Sequence, residues 1–465
     1  MDKNKIFIFL PDGIGLRNFA FTNFHKLATD KGFDLTFWNN TPFPLDELGF
    51  KQKKITYSKS DPLTDLLKRA RTQIDLNRNI RKSSDRVYDS YRFPFSYKDF
   101  KTAAKSLSVK VFSIIYNSEK GVAKLRKRIQ DSERKTTYYR NSIDTLKAAQ
   151  PAVVFCTNQR PLTAIAPLLA AKDLGIPTAV FIFSWDNLPK ATMVIETDYY
   201  FVWSQQMKSE LLYYYPYINE NQVFVTGTPQ FEPHFNNDLL LTKADFFNTH
   251  HLDPDKKYIC FSGDDVTTSP NDPQFLADTV AAVRTLNEKG HSVGIIFRRC
   301  PVDFSDRYNA VLNANKDILV PIAPKWEKMG ENWNAVLPST ADLALQINTI
   351  AHTELVINLG SSMVFDYVAF GKPCMYLNYD IKPSKFPLWN VETIYKYVHF
   401  RSMPDKKAVV WINSAKEMAS KIENLLQDHS ETVKSAALWF EKINQHPVNE
   451  ASIRILEGVK SIINK

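Results

Sequence analysis

Glycine is scarce in this chain, with 14 among 465 residues where roughly 7% is usual. That excludes collagen-like and glycine-rich repeats. It also makes each glycine's position informative, because glycine is needed where backbone turns sharply or approaches something closely. Cysteine is scarcer: Cys156, Cys260, Cys300 and Cys374 stand far apart with no CxxC pair. A disulfide scaffold is excluded, and buried reduced thiols are expected. Long apolar runs are missing too. A membrane span needs roughly 18 apolar residues, and the best candidate, residues 164–183, is broken by Lys172 and Asp173. The opening MDKNKIFIFLPDG has an apolar run of only five residues and no small-residue cleavage site, so no secretory signal is expected. A composition with 44% hydrophobic and 23% charged residues is that of a globular protein, and this length predicts about two to four domains. A cytoplasmic location is expected.

The net charge of +9 is unevenly placed. Residues 51–140 hold 24 Lys and Arg against 9 Asp and Glu, a local +15 that leaves about −6 for the rest of the chain. Aromatics are interleaved there, including Tyr88, Phe93, Phe95, Tyr97, Phe100 and Phe112. Such a block predicts a surface for an anionic partner, lipid headgroups or nucleic acid. A solvated insertion without a partner is the alternative.

Strand-like runs recur at 6–10, 34–38, 152–156, 178–183, 199–203 and 222–226, with helical stretches at 162–173 and 206–214. A second series follows at 257–261, 293–297, 318–321, 354–358, 373–377 and 409–412, with helices at 273–289, 340–352 and 363–370. Alternating β and α elements predict parallel sheets covered on both faces. The predicted organisation is an α/β protein with two doubly wound domains, residues 1–235 and 250–445, joined through a turn-rich segment. Residues 60–145 interrupt the alternation and read as a helical, basic insertion into the first domain. Residues 446–465 form a terminal helix expected to pack back on that domain.

Six segments carry candidate chemistry, most of them at predicted strand ends, where open α/β sheets bind ligands. In LPDGIGLRN, Asp12 is a candidate general base or a helix cap. Gly13, Gly15 and Arg17 line the same turn as acceptor-binding candidates. The third glycine of GxGxxG is missing, which disfavours a dinucleotide fingerprint. In FSWDNLPKA, Trp185 and Asn187 suit a sugar, and Asp186 is a second candidate base. An Asx turn before Pro189 is the alternative. VTGTPQF places Gly227 and Thr228 at a hinge or linker, with Thr228 a donor-binding candidate. FSGDD offers donors from Ser262 and Gly263, while Asp264 and Asp265 read as turn or capping residues. The DxD at 253–255 precedes its strand, so no metal site is expected. In IIFRRCP, Arg298 and Arg299 at a strand end suit a diphosphate. The sixth segment, NLGSSMVFDYVAFGKPC, ends a buried strand at Gly360. It then opens a helix at Ser361 and Ser362, whose N–H groups suit phosphate, and Asp366 stands one turn on, placed for a ribose.

NLGSSMVFDYVAFGKPCMYLNY is similar to the donor-site segment of GT-B glycosyltransferases, which reads roughly GSS or GST, an acidic residue, then GKP. VTGTPQF resembles the end of their first domain. SWDN resembles a motif of bacterial surface-polysaccharide glycosyltransferases and their CDP-glycerol glycerophosphotransferase relatives. The resemblance covers residues 150–380 and leaves the insertion unmatched. It implies the GT-B fold, two Rossmann-like domains facing across a cleft, with acceptor in the first and nucleotide-sugar donor in the second. By position, Ser361 and Ser362 would bind phosphate, Arg298 would assist and Asp366 would hold the ribose. Two departures stand out: Arg299-Cys300-Pro301 follows Arg298 where many relatives have His-Pro, and Asp12 replaces a common histidine.

The expected activity is metal-independent transfer of a sugar, from a UDP-sugar by preference, to a hydroxyl of a surface-glycan or lipid-linked acceptor. Asp12 or Asp186 would be the base, with His25 next in line. The nucleotide-sugar is a substrate, and no cofactor is expected. The basic insertion is expected to hold the enzyme at the anionic inner face of the cell membrane, its densest cluster being Lys124, Arg126, Lys127 and Arg128. No nucleic-acid partner is expected. Two other readings stay open, a glycerophosphotransferase-type polymer enzyme and a non-catalytic nucleic-acid-binding protein.

Overall fold

The computed structural model describes residues 2–329, 336–387 and 389–465. Two compact units emerge, residues 1–230 with 443–465, and residues 231–442. The first is built on strands β1 (Asp2–Leu10), β2 (Asp34–Asn39), β3 (Gln52–Lys54), β4 (Pro151–Cys156), β5 (Thr178–Phe181), β6 (Tyr199–Val202) and β7 (Val223–Val225). They pair in the order β3-β2-β1-β4-β5-β6-β7, every neighbour parallel. Residues 6–10 and 151–156 are buried throughout, as strands covered on both faces must be, and so read as unbroken apolar runs rather than alternating ones. Strand β3, QKK, carries no apolar residue and lies at the sheet edge. Nothing in its composition signals a strand.

The expected helix at 162–173 is split into a 3-10 turn, Leu162–Ala164, and an α-helix, Ile165–Asp173. Pro167 falls in the first turn of that α-helix, where no intrahelical donor is required of it. The basic insertion is four helices, Pro62–Ser83, Phe100–Ile115, Glu119–Glu133 and Thr137–Ala149, with a short 3-10 turn at Arg86–Tyr91. The first starts with Pro62 behind Asp61, whose side chain accepts from the Leu63 amide, and it stops at Ser84 in left-handed conformation (φ 55°). Helix Ala451–Ile463 packs on the first sheet. A Cβ on Gly458 would lie 2.7 Å from the Phe201 ring. Arg454 Nε ties the same helix to the Thr226 carbonyl at 2.7 Å.

The second unit has strands β8 (Lys257–Ser262), β9 (Val293–Arg298), β10 (Leu319–Pro321), β11 (Trp326–Lys328), β12 (Val336–Pro338), β13 (Val356–Asn358), β14 (Cys374–Leu377) and β15 (Val410–Ile412). Six of them form a parallel sheet in the order β10-β9-β8-β13-β14-β15, while β11 and β12 make a separate antiparallel pair. Both large sheets therefore reverse their winding beside their first strand, at β1/β4 and at β8/β13. Those two switch points mark where ligands bind in open α/β sheets. The four cysteines are free thiols, three of them buried. Among the described residues no helix is long and apolar enough to cross a membrane.

Candidate functional site

At the switch point of the first sheet, the loop after β1 meets the loop after β4. Asp12, 7% exposed, accepts from the Ile14 amide at 3.2 Å and from Asn158 Nδ2 at 2.8 Å. Asn158 is oriented in turn by the Arg160 amide on its Oδ1, 3.1 Å away. Burial pushes the Asp12 carboxyl up to about 6, against the lowering pull of the Ile14 amide, Asn158 and the Arg160 charge. Asp12 thus braces the first amide of the following helix, and its burial moves its titration towards neutral pH. Lys68, from the insertion's first helix, reaches the Arg160 carbonyl at 3.4 Å. Burial, helped by the Arg160 charge, pulls its ammonium down to about 8.

The other first-unit candidates do not join this group as expected. Gly15 is explained by packing, since a Cβ there would sit 2.2 Å from Thr157 Oγ1. Gly13 is the cap of the helix Ile14–Phe19 in right-handed conformation, and Arg17 lies half-buried in its last turn. Asp186 accepts from Ser184 Oγ at 2.6 Å and from Asn187 Nδ2 at 2.7 Å, and it pairs with Lys190. Asp186 is thus held within its own loop by Ser184, Asn187 and Lys190. Trp185 is buried rather than open to a sugar ring. Asn187, also buried, bonds Gln159 at 3.3 Å. Thr228 is fully buried, and its amide donates to Asn444 Oδ1 at 3.0 Å within the first unit. His25 packs against Phe37 and Phe50.

Three adjacent strand ends of the second sheet, those of β9, β8 and β13, bring Arg298, Ser262–Gly263 and residues 360–362 to one edge. Ser262 lies in register with Arg298, and the Gly263 amide donates to the Arg298 carbonyl at 2.9 Å. The anion that a buried guanidinium needs is already present, because Arg298 Nη2 reaches both Asp342 oxygens at 2.9 Å. Asp342 is further held by the Lys325 amide and Trp326 Nε1, at 2.8 and 2.7 Å. Arg298 Nη1 is buried with no protein partner. Arg299 is turned away to the Ser305 carbonyl at 2.7 Å.

Gly360 has φ 65°, and a Cβ there would meet Phe400 at 3.0 Å, so only glycine fits. The Ser361 amide bonds Asn358 Oδ1 at 2.8 Å, and Ser361 Oγ accepts from the Met363 amide at 3.3 Å. That leaves the Ser361 O–H available as a donor. The helix it opens, Met363–Val368, is short, with Ser362 at its N-cap. Asp366 is not placed for a ribose: it is 5% exposed and lies 2.8 Å from His234 Nε2. The His234 Nδ1 faces the Phe231 carbonyl at 3.2 Å.

Gly263 is likewise crowded by protein. Tyr308 Oη would be 2.8 Å from its Cβ, and that hydroxyl donates to Asp272 Oδ2 at 3.0 Å. Asp265 forms the expected turn, accepting from the Thr267 and Thr268 amides at 2.8 and 3.3 Å. Asp264 is pushed up to about 8 by burial and by the charges of Asp272 and Asp265. Among the described residues, no group of three or more His, Cys, Asp and Glu side chains gathers as a metal site.

Four residues of these groups, Asn158, Arg160, Asp342 and His234, lie outside the motifs that the sequence singles out. The polar run TNQR directly after an all-apolar strand was a usable signal for the first two. Nothing local marks Asp342 or His234, whose partners are far away in sequence.

No protein-family model and no curated protein sequence matches the chain. Solved structures do. A glycosyltransferase from Rickettsia africae is 11% identical, with the whole of both chains covered and a TM-score of 0.55. A UDP-GlcNAc 2-epimerase from Neisseria meningitidis, solved with UDP-GlcNAc, is 10% identical over 98% of this chain and 99% of that one, at 0.51. MnaA of S. aureus, solved with UDP, is 12% identical over 99% and 97%, also at 0.51. Likeness at this identity is likeness of fold: the chain has the GT-B fold of two Rossmann-like domains.

Proposed function

We propose that this chain transfers a glycosyl group from a nucleoside-diphosphate sugar, a UDP-sugar by preference, to a hydroxyl acceptor, without a metal or cofactor. The observation that carries the reading is the second sheet's edge, where three adjacent strand ends collect the Ser361 hydroxyl, Arg298 and the Ser262–Gly263 turn around a switch point. Hydroxyls, backbone amides and a guanidinium suit a diphosphate, which they would stabilise as it leaves. Asp12 of the first unit would take the acceptor's proton as its oxygen attacks the anomeric carbon, and the sugar–phosphate bond breaks with its electron pair going to the nucleotide. The acceptor would be a surface-glycan or lipid-linked hydroxyl.

A second reading is favoured by the fold likeness to two structures solved with UDP or UDP-GlcNAc, one of them an epimerase. In this reading the chain rearranges a nucleotide-sugar without an acceptor. Thermal-shift titration with UDP, GDP, CDP and CMP tests the shared premise. A nucleoside diphosphate should stabilise the protein, and Ser361→Ala with Ser362→Ala should weaken its binding roughly tenfold or more, the loss of two hydroxyl contacts at about 1–1.5 kcal/mol each. No stabilisation by any of the four overturns both readings. Acceptor-dependent release of UDP favours transfer, and acceptor-free conversion of the sugar favours rearrangement.

A further inference from the structure

The structure does not turn all of the insertion's basic residues outward. Three of its arginines are spent internally. Arg126 faces inward, with Nε and Nη2 each 2.5 Å from the Glu196 carboxylate and its guanidinium 3.4 Å above the Tyr217 ring. Arg71 is buried against Asp75 and the Tyr217 hydroxyl, and Arg134 is paired twice with Asp173. The 124–128 cluster is therefore not a uniform outward patch. Most of the exposed large apolar side chains of the insertion lie on a different helix, Phe100–Ile115, with Phe93 and Tyr97 exposed in the segment just before it.

That helix anchors one face to the protein through Ser106, bonded to the Ser96 carbonyl at 2.8 Å, and through buried Val109. At 100° per residue, Phe100, Leu107, Val111, Ile114 and Ile115 fall on the opposite side within an arc of about 100°. All five are exposed, Phe100 at 91% and Ile114 at 76%. Exposed lysines border the stripe on both sides, Lys110 on one and Lys101 and Lys105 on the other. The sequence FKTAAKSLSVKVFSII contains no acidic residue. Asp99, just before it, has its carboxylate engaged with the Thr102 amide at 2.8 Å.

An apolar stripe this continuous is uncommon on a soluble surface without a partner. Lysine borders without carboxylates match an anionic layer over an apolar interior, which is the pattern of a helix lying in the plane of a bilayer surface. We propose that helix Phe100–Ile115 is a membrane-docking helix. It inserts Phe100, Leu107, Val111, Ile114 and Ile115 among the acyl chains of an anionic bilayer, while Lys101, Lys105 and Lys110 hold lipid phosphates. The proposal does not rest on the sugar-transfer reading, and nucleotide binding by the same samples reports on that reading separately.

The test is co-sedimentation of the full chain with vesicles of phosphatidylcholine alone and of phosphatidylcholine mixed with phosphatidylglycerol. Wild type should pellet with the mixed vesicles only. Leu107→Glu with Ile114→Glu should lower that affinity by roughly tenfold or more, as should the triple variant Lys101→Glu, Lys105→Glu, Lys110→Glu. Unchanged melting temperatures would show that both variants are folded, since every altered side chain faces solvent. Wild type that ignores both vesicle types, or a Leu107/Ile114 variant that binds as wild type does, overturns the proposal. So does a wild-type dimer in lipid-free solution that the Leu107/Ile114 variant abolishes, because the stripe would then cover a second copy. Binding of nucleic acid with no binding to vesicles overturns it as well.

Discussion

Replacing Asp12 with Asn separates the chemistry of that residue from the cost of burying it. The carboxyl is 7% exposed and its pKa is pushed to about 6, against about 3.9 in an unfolded chain. The folded state therefore binds the proton more tightly than the unfolded state does. Its stability contribution is fully present below pH ~4 and is lost as pH rises through about 6, because ionisation is unfavourable in the buried site. The rise corresponds to about 3 kcal/mol at 1.36 kcal/mol per pH unit. The carboxamide of the variant has no charge to desolvate, so Asp12→Asn escapes this loss. It gives up the 2.8 Å bond from Asn158 Nδ2, at about 1 kcal/mol regardless of pH. Asp12→Asn should then be less stable than wild type near pH 4 and more stable by about 2 kcal/mol at pH 7–8. Urea unfolding of both proteins at a series of pH values measures the difference. If Asp12 is the general base, turnover of the variant should drop by at least roughly 10²-fold, and wild-type activity should climb with pH through about 6. A stability difference that stays flat between pH 4 and 7 would refute the burial argument, and near-normal turnover would remove Asp12 from the chemistry.

Three further substitutions test the packing of the first unit. Arg126→Glu would set a carboxylate against Glu196, and should destabilise the first unit by about 3–5 kcal/mol in urea unfolding. Lys124→Glu, at an exposed position of the same helix, should change stability by no more than about 0.5 kcal/mol. Gly15→Ala would drive a methyl to 2.2 Å from Thr157 Oγ1 and should cost about 1–3 kcal/mol, read as a lowered urea midpoint. Unchanged stability would mean that the loop after β4 has room to give.

The sequence by itself determined what is local. Apolar runs of strand length alternating with helical stretches required two parallel sheets, because runs buried along their whole length need cover on both faces. The break in that alternation marked the helical insertion, and glycines at strand ends marked the turns. Strand order was decided by the tertiary structure, since pairing β1 with β4 or β8 with β13 depends on how crossovers of very different length pack. With strand order came the switch points, and with them the meeting of Asp12 with Asn158 across 146 positions and of Arg298 with Asp342 across 44. By sequence alone, glycines at strand ends read as room for a ligand. At Gly15, Gly263 and Gly360 that room is taken by Thr157, Tyr308 and Phe400. Charge follows the same rule. A count over residues 51–140 cannot separate Arg126, turned inward against Glu196, from Lys101, facing water on the preceding helix, because a charge becomes surface or structure only when a distant partner folds against it.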